Sequence, residues 1–91
     1  MLRLAVDEKT LNGIRSGYLA TIYKKSEEKL TERIDKKKYS KIKLSCGKKT
    51  ITAELIAIDT MDEPTEVDAG KYTEANSYAF HIGKIFDCVG I

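Results

Sequence analysis

Residues 11–33, LNGIRSGYLATIYKKSEEKLTER, read as a helix end, a glycine stop, a strand and a second helix. Leu11 and Ile14 are three apart and share one helical face. Gly17 follows where a left-handed turn commonly ends a helix. Residues 19–25 then form a strand. Ser26 stands at an N-cap position, with Glu27 and Glu28 in the first turn, where the helix dipole favours negative charge. The rest of the chain supplies strands against which this helix–strand–helix unit packs.

Working outward towards the N-terminus, Leu2, Leu4 and Val6 alternate with Arg3 and Ala5, which predicts a first strand. Asp7 caps a helix over residues 8–16, whose buried face holds Leu11, Ile14 and Tyr18. Gly13 weakens that helix by about 1 kcal/mol relative to Ala, so the helix needs a sheet beneath it. In the strand 19–25 both alternating sets contain apolar residues, which predicts cover on both faces. Residues 26–36 form a short helix exposed on most sides, with Leu30 and Ile34 four apart. Lys36, Lys37 and Lys38 fall at its C-terminal end. Two readings fit that run: positive charge suits the dipole there, and a lysine cluster also suits phosphates.

Towards the C-terminus, residues 39–46 give the cleanest strand, with Ile42, Leu44 and Cys46 facing one way and Lys41, Lys43 and Ser45 the other. Gly47-Lys48-Lys49 turns the chain and residues 50–59 return, making an antiparallel hairpin with a lysine-rich tip. Residues 61–76 show no sustained period and carry Asp62, Glu63, Glu66, Asp68 and Glu74, an acidic loop of the length that is often functional. Residues 77–86 form the last strand, with Tyr78, Phe80 and Ile82 on its inner face. Gly83 within it predicts a bulge or a close backbone approach. The predicted core includes Ile42, Leu44, Leu55, Phe80 and Ile82. The order of elements suits one small domain of mixed α+β class, mainly β: a five-stranded barrel, largely antiparallel, with two short helices.

The 91 residues, 42% hydrophobic and 33% charged, allow one modest core and are not the composition of a disordered chain. No apolar run reaches the length of a membrane span, and residues 1–9 hold too short an apolar stretch for a secretory signal. The expectation is a cytoplasmic protein without a cofactor. Cys46 and Cys88 are not spaced as a zinc pair or a disulfide framework, and both are expected reduced and partly buried. The net charge of +2 hides an asymmetry. Residues 21–50 hold eleven Lys or Arg against four Asp or Glu, whereas residues 51–91 hold two against eight. Interleaving of strands from the two halves decides whether this polarity survives in space.

Three stretches carry a resemblance: LNGIRSG at 11–17, YSKIKLSCG at 39–47 and YAFHIGKIFD at 78–87. With the order of elements, they make the chain resemble the ASCH-type domains of the PUA-like barrel fold. That family places a lysine two residues after its glycine, a glutamate five after and an arginine seven after. Counted from Gly17, these places hold Leu19, Ile22 and Lys24. Arg33 matches a basic residue seen further along in small members. The resemblance implies a cleft at Gly17, Leu19 and Ile22 and nucleotide or RNA contacts, with hydrolysis in some members. Leu19 can be neither nucleophile nor proton donor, and Ile22 cannot be a general base, so the cleft reads as degenerate and non-catalytic.

Outside that resemblance, His81 is the sole histidine and shows no telling spacing to an acid or nucleophile, and no Gly-rich phosphate loop is present. Three functions compete. The first is binding of single-stranded RNA through Tyr23, Lys24, Lys25, Arg33, Lys37, Lys38, Lys41 and Lys43, with Tyr23 and Tyr39 as stacking faces. The second is a structural role with a protein partner held by the acidic loop 62–74. The third is hydrolysis of a modified nucleoside.

Overall fold

The chain runs β1 (Leu2–Ala5), α1 (Glu8–Ser16), β2 (Thr21–Lys25), α2 (Glu28–Lys36), β3 (Lys41–Cys46), β4 (Lys49–Met61), β5 (Glu66–Asp68), β6 (Lys71–Tyr72) and β7 (Ser77–Val89). This computed structural model describes residues 1–36, 38–68 and 70–90. Five strands form one sheet in the order β1-β3-β4-β7-β2, while β5 and β6 make a separate hairpin. Only the β1–β3 pair is parallel in the large sheet. The fold is mixed α+β and mainly β, with the sheet curled into a half-barrel.

Alternation builds the concave face. Ile42 and Leu44 of β3, Leu55 of β4 and Phe80 and Ile82 of β7 are all buried, as expected from the sequence. Leu2 and Leu4 of β1, Leu11 and Ile14 of α1, and Ile22, Leu30, Ile51, Ala53 and Tyr78 belong to the same cluster. Helix α1 begins where Asp7 Oδ1 accepts the Thr10 N–H at 2.7 Å. It ends where Gly17, at φ 81°, donates its N–H to the Ile14 carbonyl at 3.2 Å. A two-residue turn, Gly47-Lys48, joins β3 to β4, and Gly47 takes the positive φ that such hairpins place first.

Gly83 lies at the bulge expected of it, and the groups that crowd it are side chains rather than backbone. Ile82 faces Leu55 and Ile85 faces Ala53, so β7 spends three steps where β4 spends two, the count of a bulge. A Cβ on Gly83 would also run into the Glu54 carboxylate and come within 3.0 Å of the Ile56 side chain. Register shifts at three places along β4–β7 bend this long pair and curl the sheet.

Several expectations are corrected. Strand β2 starts at Thr21, because the Leu19 N–H returns to the Gly13 carbonyl at 2.9 Å and draws that residue into the end of α1. The strand is covered on one face only: Ile22 is buried and Tyr23 is 40% exposed. Tyr18 lies past the helix end and is 88% exposed, so it does not extend the buried face. Ser26 does not cap α2. The helix opens at Glu28, and the Ser26 hydroxyl instead meets that of Thr31, which reaches the Tyr78 hydroxyl at 2.8 Å. Cys46 packs against the core, but Cys88, near the end of β7, is exposed. The acidic segment is not plain loop. It folds as the β5–β6 hairpin, braced by Tyr72 Oη donating to Glu66 at 2.9 Å.

Candidate functional site

The outward face of β1 and β3 collects basic side chains. Strand alternation turns Lys41 and Lys43 away from the core, since Ile42 and Leu44 face in. The parallel register sets Arg3 beside Lys43. Phe86, on the part of β7 beyond the bulge, is 49% exposed. The Lys41 ammonium lies 5.3 Å from the centroid of its ring, within cation–π range. Glu54 faces Lys41 in register, but its carboxylate is turned towards the Lys84 N–H. The ion pairs among the described residues are Lys25–Glu74, Lys49–Glu8 and His81–Asp59. Arg3, Lys41 and Lys43 take part in none of these ion pairs, although Glu54 faces Lys41 and Asp87 faces the Thr52 that is paired with Lys43.

The other predicted residues lie elsewhere. Tyr23, Lys24 and Lys25 are on β2, at the opposite edge of the sheet from β3, with β4 and β7 between them. Three strand spacings amount to about 14 Å along the sheet. Lys25 reaches Glu74 at 3.8 Å, and Lys24 turns to the same side of β2 as Ile22. Arg33, on α2, donates from its guanidinium to the Arg3 carbonyl. Lys38 is exposed and borders a shallow depression with Ile56. Lys37 lies outside the described residues. Tyr39 packs against the core, so its ring is not a free stacking face. The basic segment is thus divided between an outward sheet face, a far strand edge and a helix, and its strand β3 is paired with β4 of the acidic half.

Gly17, Leu19 and Ile22 do not share one concavity; Leu19 lies between two. Leu19 and Ile22 line a groove of about 600 Å³ along the free side of β2. Gly17 and Leu19 border a second, smaller hollow beside Ile82. Leu19 is seated on α1 at Gly13, where a Cβ would lie 2.5 Å from Leu19 Cδ1. Gly13, costly for the helix, makes room for that contact.

One arrangement was not legible beforehand. Asp59 Oδ2 lies 2.7 Å from His81 Nε2, and His81 Nδ1 lies 3.2 Å from Thr21 Oγ1. The three residues are far apart in sequence, and only the pairing of β4 with β7 and of β7 with β2 aligns them. A carboxylate, imidazole and hydroxyl in a row is the order of a nucleophilic triad. Here it lies on the outward sheet face with the Asp59 side chain 67% exposed, and it ties three strands together. At the mouth of the groove, hydrogen bonds from Thr10 hold the Asp7 carboxyl below the usual carboxylate range. Close by on α1, Glu8 is lowered by its bond to Lys49, and Lys49 is raised by the same contact. Among the described residues no three His, Cys, Asp or Glu side chains gather as metal ligands, and no helix is long and apolar enough to cross a membrane.

No family model, curated protein or solved structure matches the chain.

Proposed function

We propose that the protein binds single-stranded nucleic acid, RNA in the first instance, on the outward face of β1 and β3 and, across β4, the end of β7. The observation that carries this is the Lys41 ammonium over the exposed Phe86 ring, beside the Arg3–Lys43 pair. A base can stack on an aromatic face while flanking cations hold the phosphates, and this pairing tolerates any sequence. The resemblance to ASCH-type domains supports the same reading, because PUA-like barrels commonly meet RNA. The proposal rests on Lys41 and Lys43 and adds Arg3 and Phe86, leaving Lys24 and Lys25 at the far edge outside the footprint. Catalysis is not part of it, since Leu19 and Ile22 stand where the ASCH-type pattern has its lysine and glutamate. The proposal also places the protein in the cytoplasm, where two free thiols are at home.

The test is an anisotropy titration of labelled oligouridylate RNA at low salt against the wild type and Phe86→Ala. Loss of a stacking ring weakens binding by about 1–3 kcal/mol. Equal affinity of the two proteins would remove Phe86 from the site, and absence of binding at high micromolar protein would remove the proposal.

A further inference from the structure

The two edges of the sheet are finished differently. At β1, the carbonyl of Arg3 points away from β3 and receives the Arg33 guanidinium from α2. At β2, the Ile82 N–H bonds to the Ala20 carbonyl at 2.8 Å and the Ser26 N–H to the Asn76 carbonyl at 2.7 Å. With the register of β2 on β7, those bonds place Ala20, Ile22, Lys24 and Ser26 in the hydrogen-bonded pairs. The N–H and C=O groups of Thr21, Tyr23 and Lys25 therefore point the other way, into the groove, and among the described residues no strand pairs with them.

We propose that this edge accepts an extended, acidic peptide of a partner protein as a sixth strand. The groove is lined by β2, by Val67 and Lys71 of the β5–β6 hairpin, and by Val6, Asp7 and Thr10 at the start of α1. Leu19 and Ile22 give it an apolar floor, and a strand added there lies about 4.8 Å from β2. Side chains of an added strand alternate, so a residue facing Ile22 meets an apolar surface and the one two positions along meets Lys24. Lys24 and Lys71 make no ion pair among the described residues. The Asp7 carboxylate also lines the groove; it caps α1 through Thr10 and lies within electrostatic reach of Lys24. The preferred segment is apolar, any residue, then acidic. Main-chain bonds supply affinity in this mode of recognition, and the alternating side chains supply choice.

Charge also argues against the pairing of two β2 strands from two copies of the chain. Strand β2 reads TIYKK, with two lysines and no acid. Pairing with itself would gather four lysines in one patch, and lysine on an edge strand is a common guard against that association.

The experiment uses the full chain, isotope-labelled, with the fluorescent peptide Thr-Val-Thr-Glu-Thr-Val-Thr-Glu-Thr. Saturable binding is expected, with amide exchange at Thr21, Tyr23 and Lys25 slowed about tenfold or more at saturation, a ratio set by new edge hydrogen bonds. The amides of Ile22 and Lys24, already bonded to β7, should not change. Lys24→Glu should weaken binding about tenfold, and replacing the peptide's glutamates by lysine should restore it on that variant. Tyr23→Pro removes the central free N–H without touching the β7 ladder and should abolish binding. Absence of binding at about 1 mM peptide, or protection of amides away from β2, would overturn the proposal. So would unchanged affinity in folded Lys24→Glu and Tyr23→Pro proteins; if either fails to fold, the wild-type exchange pattern decides.

Discussion

Truncating Leu44 to alanine tests the strand phase on which every face assignment rests. Leu44 is 0% exposed and lies between Leu4 of β1 and Ile51 of β4, both themselves buried. Three buried carbons are lost, worth about 2.4 kcal/mol at roughly 0.8 kcal/mol each. A cavity flanked by two ordered strands relaxes only partly, which adds to that and puts the expected loss at about 3 kcal/mol, inside the 2–5 range of such changes. A domain of 91 residues has a total stability of about 5–14 kcal/mol, so the variant should remain folded but visibly weakened. Urea unfolding followed by circular dichroism and tyrosine fluorescence measures it, since the chain has five tyrosines and no tryptophan. At a slope near 1.5 kcal/mol/M the midpoint should fall by about 2 M with the slope unchanged. Ile56→Ala is the control: Ile56 is 64% exposed, and its loss should stay within about 0.5 kcal/mol. A Leu44→Ala cost below about 1 kcal/mol would refute the assignment of inward and outward faces on β3.

Asp7→Ala removes the N-cap of α1 and should cost about 0.5–2 kcal/mol in the same assay. Because the Asp7 carboxyl titrates lower in the folded chain than in the unfolded one, its contribution is fully present above the ordinary carboxylate range and is lost as pH falls through the lowered value. The wild-type advantage over Asp7→Ala should therefore shrink below about pH 4 and be flat between pH 5 and 7; an advantage that grows on acidification contradicts this. Gly13→Ala should destabilise by about 1 kcal/mol, because overlap with Leu19 outweighs the helix-propensity gain. In a Leu19→Ala background the same change should stabilise, and a loss in both backgrounds would show that Leu19 is not the cause.

Much of the fold could be read in the chain because its local signals agree with each other. Asp7 and Gly17 mark the two ends of α1, and the Ile42/Leu44 alternation fixes the inner face of β3. The misreadings fall where a tertiary contact overrides a local signal. Leu19 looks like a strand residue, but Gly13 offers it a seat on the helix. Ser26 has the chemistry of a cap, yet a hydroxyl chain through Thr31 to Tyr78 claims it. The site was legible only in part, since sequence shows that residues 21–50 are basic but not which strands are neighbours. The order β1-β3-β4-β7-β2 divides Lys24 and Lys25 from Lys41 and Lys43, and brings in Arg3 and Phe86 from the two ends of the chain. The Asp59–His81–Thr21 row is of the same kind, because it exists only through register.

The salt dependence of RNA affinity tests the proposed function most directly. Three phosphate contacts, from Arg3, Lys41 and Lys43, give a slope of about −2 in log affinity against log salt for a single strand. Lys41→Gln with Lys43→Gln should reduce it to about −0.7, whereas Lys24→Gln with Lys25→Gln should leave it unchanged, because those lysines lie at the far edge of the sheet. A slope that falls with the β2 lysines and not with the β3 lysines would contradict the placement of the site.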